Sequence, residues 1–243
     1  MNSGTMIYEG KAKKIFSLKD QPDSVLVEFK DSLTAFNALK KGQFAAKGEL
    51  NRDIATLIFK FLGKHGVTHH WIEDVGPRSM VCKKVTIIPL EVVVRNRLAG
   101  STAKKFNIEE GTALPTPLVE FYFKDDALGD PFLSDDQALM LKAVSDRADL
   151  DRLREQALKV NRELLRLFKE VGIDLIDFKI EFGRTAKGEL LLADEISPDC
   201  CRLWDTKSGE RMDKDRFRRD LGNVEESYRE VWQRLKQRWE NEL

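Results

Sequence analysis

Along residues 176–182 apolar and charged side chains alternate without a break. Ile176, Phe178, Ile180 and Phe182 fall on one face and Asp177, Lys179 and Glu181 on the other, the period of a half-buried strand. Residues 184–188 read as a polar turn and 189–196 as a second apolar strand, which together predict a hairpin. Elsewhere the period is helical. Ala46, Leu50, Ile54, Leu57, Ile58, Phe61 and Leu62 recur every three or four positions, predicting an amphipathic helix on a sheet, ended by Gly63 or Gly66. Leu150, Leu153, Ala157, Val160, Leu164, Phe168 and Val171 do the same up to Gly172. Val224, Tyr228, Val231, Trp232, Leu235 and Trp239 stripe a final helix, an aromatic stripe read as core or subunit interface.

Shorter β-segments fill the first half: two within 6–16, one at 25–30, then runs at 79–84, 87–97 and 119–124. Pro89 marks an edge or a bend between sheets, and a domain boundary placed there divides 1–86 from 87–243. Ser134 and Gln137 predict a capping box opening a helix to about residue 145. Asp213 is expected to cap a turn that Gly222 stops. The predicted fold class is α+β, with an N-terminal, mainly antiparallel sheet lobe carrying one helix and a larger α+β C-terminal lobe.

Composition narrows the function by exclusion. In 243 residues, Lys plus Arg and Asp plus Glu both total 41, so no net charge calls for nucleic acid or an anionic membrane. No apolar run approaches the ~20 residues that span a bilayer, and the start, MNSGTMIYEG, lacks the regions of a signal peptide. Cys82, Cys200 and Cys201 are sparse and odd in number, which points to a reduced, cytoplasmic setting.

The chemistry gathers where charge meets strands. Asp177 and Glu181 share the charged face with Lys179 between them; four residues apart along a strand, the two carboxylates sit roughly 13 Å apart and repel by about 1 kcal/mol. A register with Lys179 opposite Asp194 would add a third carboxylate, although the sequence leaves that register open. A hard divalent cation with oxygen ligands relieves the conflict, and Mg²⁺ carrying phosphates is the common case; a solvated strand face is the alternative. Gly10 between Glu9 and Lys11, with Lys13 beyond, allows close approach to a polyphosphate or is an exposed basic turn. Arg95, Arg97, Gly100 and Ser101 make a small anion-binding set, both arginines falling on one strand face by alternation. His65, His69 and His70 are expected in a surface loop without a metal.

Seven segments, in order and over nearly the whole chain, resemble the SAICAR synthetase (phosphoribosylaminoimidazole-succinocarboxamide synthase) family. They are YEGKAKKIF at 8–16, DSLTAFN at 31–37, IPLEVVVRNRLAGS at 88–101, EFYFKDDALGDP at 120–131, DFKIEFG at 177–183, DEISPDCCRLWD at 194–205 and DKDRFRRDLG at 213–222. The resemblance implies a nucleotide-binding lobe like those of kinase and ATP-grasp folds, with ATP between the lobes. It implies ATP-dependent, Mg²⁺-requiring joining of L-aspartate to the carboxylate of carboxyaminoimidazole ribonucleotide (CAIR) in purine (IMP) biosynthesis, giving SAICAR, ADP and phosphate, in a homo-oligomer such as a dimer. Carried over by residue, Lys11, Lys13 and Lys124 would face the ATP phosphates, and Glu181 and Asp194 would bind Mg²⁺. Lys179 would balance those carboxylates or touch a phosphate, and adenine would lodge near Ile87 and Ile88. Arg95, Ser101 and Arg202 would hold the CAIR phosphate, and Asp177 and Asp199 would orient the sugar or imidazole. Asn37 stands where some members carry an acid, so no metal role is given to it, and Cys200 and Cys201 are taken as structural. A small-molecule kinase and a non-catalytic nucleotide-binding protein are the rival readings.

Overall fold

The computed structural model describes residues 3–35 and 39–243; Asn37 lies outside them. Two antiparallel sheets divide the chain. The first runs β1 (Ser3–Glu9), β2 (Lys13–Leu18), β3 (Ser24–Phe29), β7 (Ser79–Lys83) and β6 (Trp71–Asp74) in spatial order, and beside it β4 (Ser32–Ala35) pairs with β5 (Lys40–Gln43). The second runs β10 (Phe132–Leu133), β9 (Ala113–Phe123), β8 (Thr86–Arg97), β11 (Ile173–Arg184) and β12 (Leu190–Ala193). The last strand, β13 (Cys201–Asp205), also pairs with β11.

The second edge of β11 is shared. Residues 173–178 pair with β13 and residues 181–184 with β12, while the first edge pairs with β8. The ladder therefore changes partner at Lys179, whose amide donates to the Cys200 carbonyl (2.9 Å). The connection 194–200 is thrown out at that break.

Helix α1 (Lys47–Lys64) buries Ile54, Ile58, Phe59, Phe61 and Leu62 completely. One hydrophobic cluster joins it to Val27 and Phe29 of β3, to Val92 and Ile180 of the second sheet, and to the stripes of α4 (Arg147–Lys169) and α6 (Val224–Trp239). The remaining helices are short: α2 (Gly100–Phe106), α3 (Asp135–Met140) and α5 (Asp215–Arg218).

Most expected elements are present, with four differences. The strand expected to be half-buried is buried on both faces at residues 175–178 and 180–183, because its charged side chains are covered and paired. The capping box forms between Ser134 and Gln137, but its helix stops at Met140, and a separate N-cap, Asp146, starts α4. Asp213 accepts from the amides of Leu203 (2.8 Å) and Asp215 (2.7 Å), so it ties a turn to β13 and only one helical turn follows. Glu181 stands opposite Ala193, which puts Asp194 one step past the ladder, with φ of 62°.

Because Ile58 of α1 is fully buried in the shared hydrophobic cluster, Ile58→Ala should cost about 2–5 kcal/mol of folding stability. Urea denaturation is the measurement, with the midpoint moving at constant slope.

Candidate active site

A cavity of about 400 Å³ opens between the two sheets, floored by Glu91, Val93 and Arg95 of β8 and by Asp177 and Lys179 of β11. Lys11, Ser32 and Thr34 close it from the N-terminal side, and Asp199, Arg202, Lys214 and Arg218 from the other. A second cavity, about 440 Å³, lies beside α6. Its Arg216 and Arg234 already bond carbonyls and carboxylates, and it contains none of the expected site residues.

A lysine–carboxylate lattice adjoins one end of the main cavity, reaching it through Lys179 and Glu91, while Lys13, Lys124, Glu181 and Asp194 lie behind them and do not line it. Lys179 Nζ donates to Glu181 Oε1 (2.8 Å) and Glu91 Oε1 (3.0 Å) and lies 3.6 Å from Asp194 Oδ2. Glu91 and Glu181 are direct cross-strand partners, a like-charge pair that the shared lysine makes tolerable. Lys124 Nζ donates to Glu181 Oε1 (2.7 Å), Lys13 to both Asp194 and Glu195, and Lys11 to Asp126 (2.8 Å). Burial alone would raise the Glu181 carboxyl, but the charges of Lys179 and Lys124 bring it down to about 2. Burial, with the Asp199 charge beside it, pushes the Asp194 carboxyl up to about 7, and burial lowers the Lys13 ammonium to about 8. Both shifts run toward the neutral forms, because the pair is held out of water.

Toward the other end, Arg95 and Arg202 grip Asp177. Arg95 Nη1 donates to Asp177 Oδ2 (2.7 Å) and its Nε to Glu120 Oε2 (2.6 Å), while Arg202 Nη1 reaches both oxygens of Asp177 (3.1 and 2.8 Å). Arg202 Nε donates to Asp215 (2.9 Å). Ser101, exposed at the start of α2, borders the same space. Gly100 before it has φ of 62°, and a Cβ there would lie 2.5 Å from Arg202 Nη2, so only glycine lets the guanidinium rest on this backbone.

Asp199 is held from behind. Lys47, fully buried at the head of α1, donates to its Oδ2 (2.5 Å), and Tyr228 of α6 donates to its Oδ1 (2.7 Å). Burial would raise this carboxyl, but the charges of Lys47 and Lys214 and these two hydrogen bonds carry it well below the usual range.

The structure thus gathers Lys13, Lys124, Lys179, Glu181 and Asp194 into one lattice, and Arg95, Asp177 and Arg202 into one cluster beside Ser101. Ile87 and Ile88 are half-buried in β8. The β8–β9 ladder begins only at Leu90, ending with Lys124 N on Pro89 O (3.1 Å), so residues 87–88 run past the last β9 pair. Two expectations are corrected. Arg97 does not join Arg95, because the β8–β9 register shifts between them and its guanidinium bonds the Gly111 carbonyl (3.0 Å). His70 is not on a surface loop: it is buried, its Nε2 lies 2.9 Å from the Asp194 carbonyl oxygen, and burial lowers its pKa to about 3. Neutral His70 therefore braces Asp194 in its left-handed conformation as a donor. Sequence reasoning also passed over Lys47, Glu91, Glu195 and Tyr228. Lys47 was findable, as a lysine on the apolar stripe of α1, and Glu91, as a neighbour of Arg95 by strand alternation. Nothing local marks Glu195.

The residues present fit a divalent metal. Glu181 and Asp194 converge on one ammonium and offer hard oxygen donors. Mg²⁺ keeps waters and substrate phosphates as ligands, so one or two carboxylates can anchor it; among the described residues no group of three or more His, Cys, Asp or Glu side chains that could hold a metal is found.

Lysines and carboxylates toward one side of the cavity and arginines toward the other give the charge arrangement of an enzyme that takes anionic, phosphorylated ligands. The sequence profile of the SAICAR synthetase family matches residues 6–235. Phosphoribosylaminoimidazole-succinocarboxamide synthase of Wolinella succinogenes is 52% identical over 235 residues, covering 97% of this chain and 99% of that protein; the Shouchella clausii enzyme is 54% identical over 235 residues, covering 97% and 98%. Among solved structures, the Ehrlichia chaffeensis enzyme superposes with a TM-score of 0.92 at 45% identity, covering 96% of this chain and 98% of that one. A SAICAR synthetase in complex with ADP gives 0.91 at 43%, covering 96% and 98%. The chain belongs to the SAICAR synthetase family. It is an ATP-dependent carboxylate–amine ligase of purine biosynthesis, joining L-aspartate to CAIR.

Lys47→Met would leave Asp199 charged and buried without its main partner, and should cost about 3–5 kcal/mol near pH 7. In the wild type the depressed Asp199 pKa contributes stability above the unfolded value of about 3.9, lost only as pH falls through the lower folded value. In the variant the carboxyl is raised instead, so protonation relieves the stranded charge. Urea titrations should show the deficit shrinking as pH falls from about 7 toward about 4.

Proposed function

We propose that the ligation is divided among the residues as the two ends of the cavity suggest, with 1–86 the ATP-binding lobe and 87–243 the CAIR- and metal-binding lobe. Lys11, Lys13 and Lys124 bind the ATP phosphates, and adenine sits against Ile87 and Ile88, bonded mainly to backbone. Glu181 and Asp194 would hold Mg²⁺, which when bound would supply positive charge to offset that developing on the phosphates. Arg95, Ser101 and Arg202 bind the CAIR 5′-phosphate, and Asp177 and Asp199 orient the sugar or imidazole.

In this arrangement the CAIR carboxylate oxygen attacks the γ-phosphorus of ATP and ADP leaves. The aspartate amine then attacks the acyl carbon, loses a proton, and inorganic phosphate departs. The protein's part is placement and charge stabilisation. Lys179 acts in the middle, where its ammonium touches both metal-binding carboxylates and faces the cavity between nucleotide and acceptor. The observation that carries the reading is this convergence of Glu181 and Asp194 on Lys179. Cytoplasmic location and a homodimer belong to the same proposal. The three free thiols support the location in a reducing compartment; among the described residues no helix is long and apolar enough to cross a membrane.

ADP release should require CAIR and L-aspartate together; release with CAIR alone, leaving a stable phosphorylated product, would make the chain a kinase. Glu181→Gln should lower turnover at least about 100-fold with an unchanged circular dichroism spectrum. Near-normal turnover at saturating Mg²⁺ would remove Glu181 from the metal.

A further inference from the structure

Glu110 lies outside the cavity, in the connection between α2 and β9. That connection is pinned to the end of β8 by Gly111 N on Leu98 O (2.8 Å) and Leu98 N on Thr112 O (2.9 Å). From there one carboxylate joins three segments. Its Oε1 accepts from the Gly100 amide (2.9 Å) and from Arg219 Nη2 (2.6 Å); its Oε2 accepts from Arg219 Nη2 (2.8 Å) and Arg211 Nη2 (2.9 Å).

Each partner leads back to the arginine pocket. Gly100 carries Ser101 next in sequence, and its backbone is the surface on which the Arg202 guanidinium rests. Arg219 lies 3.9 Å from Asp215, which takes Arg202 Nε (2.9 Å) and Arg218 Nη1 (2.6 Å). A shift of the Gly100 amide would therefore move Ser101 and Arg202 together.

We infer that Glu110 is a positioning residue for the acceptor's phosphate, setting Ser101 and Arg202 through Gly100 and Arg219 while touching no substrate itself. The inference rests on the reading that Ser101 and Arg202 bind that phosphate. Its chemistry is specific: a charged acceptor holds a backbone amide and two guanidinium groups at fixed geometry.

The test is steady-state kinetics of Glu110→Ala and Glu110→Gln beside Arg202→Gln, with ribose 5-phosphate as a competitive probe of the pocket. Glu110→Ala should raise both the KM for CAIR and the Ki for ribose 5-phosphate about tenfold, as for a lost charged hydrogen bond, with the KM for ATP unchanged. Glu110→Gln should recover part of the loss, because its amide oxygen still accepts from Gly100. Unchanged CAIR and ribose 5-phosphate constants in both Glu110 variants, with Arg202→Gln impaired, would overturn the positioning role alone. Parallel rises in the CAIR and ATP constants with a fallen Tm would do so too, by making Glu110 merely structural. An Arg202→Gln enzyme with normal CAIR and ribose 5-phosphate constants would remove the pocket reading and the inference with it.

Discussion

Strand β11 carries charge into the protein interior, and the rest of the structure is arranged to make that tolerable. Asp177 and Glu181 are each no more than 4% exposed. An unpaired carboxylate there would cost several kcal/mol in desolvation. Each receives two cations instead, Arg95 and Arg202 for Asp177, Lys179 and Lys124 for Glu181. Those cations come from β8, β13, β11 itself and the residue after β9, so the ion pairs also staple the second sheet across its width. A buried pair is weak evidence for stability. Here its effect is positional, because each partner is useful only at one register of the ladder.

The break in the second edge of β11 turns this charged strand into a site. Had one strand paired along its whole length, residues 194–200 would have been taken into the ladder. The partner changes at Lys179, and Asp194, Glu195 and Asp199 are released beside the charged row. The N-terminal sheet then supplies Lys13 across the gap, and the helix between the sheets supplies Lys47. Both lysines approach carboxylates of the same loop, so the two lobes meet at charges drawn from either side.

Much of this was legible in the chain. The alternation at 176–182 marks β11 and its charged face without knowledge of any partner, since period 2 is a local property. Arg95 stands out as an arginine in a run of valines. What could not be read depends on register and tertiary cover. The step that leaves Asp194 beyond the hairpin ladder follows from Glu181 meeting Ala193, which no local pattern specifies. His70 looks like a loop histidine because it falls in the connection after the first helix, beside a second histidine. It is buried because the Asp194 carbonyl, more than a hundred residues later, needs a donor. Arg97 was misjudged for the opposite reason: alternation is a local rule, and the shift in pairing after Arg95 breaks it. The half-buried expectation for β11 failed because a charged face was equated with a solvated one.

The spacing along β11 has a consequence for the reaction. Asp177 and Glu181 lie four residues apart on one face, so strand rise alone separates them by about 13 Å. Between them the pairing with β8 is unbroken, Asp177 opposite Arg95, Lys179 opposite Val93 and Glu181 opposite Glu91, and the shift comes only after Glu181. The irregular pairing with β13 likewise falls before Asp177. Along the edge shared with β8 the interval between the arginine cluster and the lysine lattice is therefore regularly paired, while the other edge changes partner within it, at Lys179. A ligand held at its phosphate by one end presents its other end at a fixed distance, and Lys179 marks the middle. Small errors in that distance are costly to a reaction that relies on placement. A strand held without a shift along its β8 edge from Asp177 to Glu181 meets that demand better than a loop of equal length would.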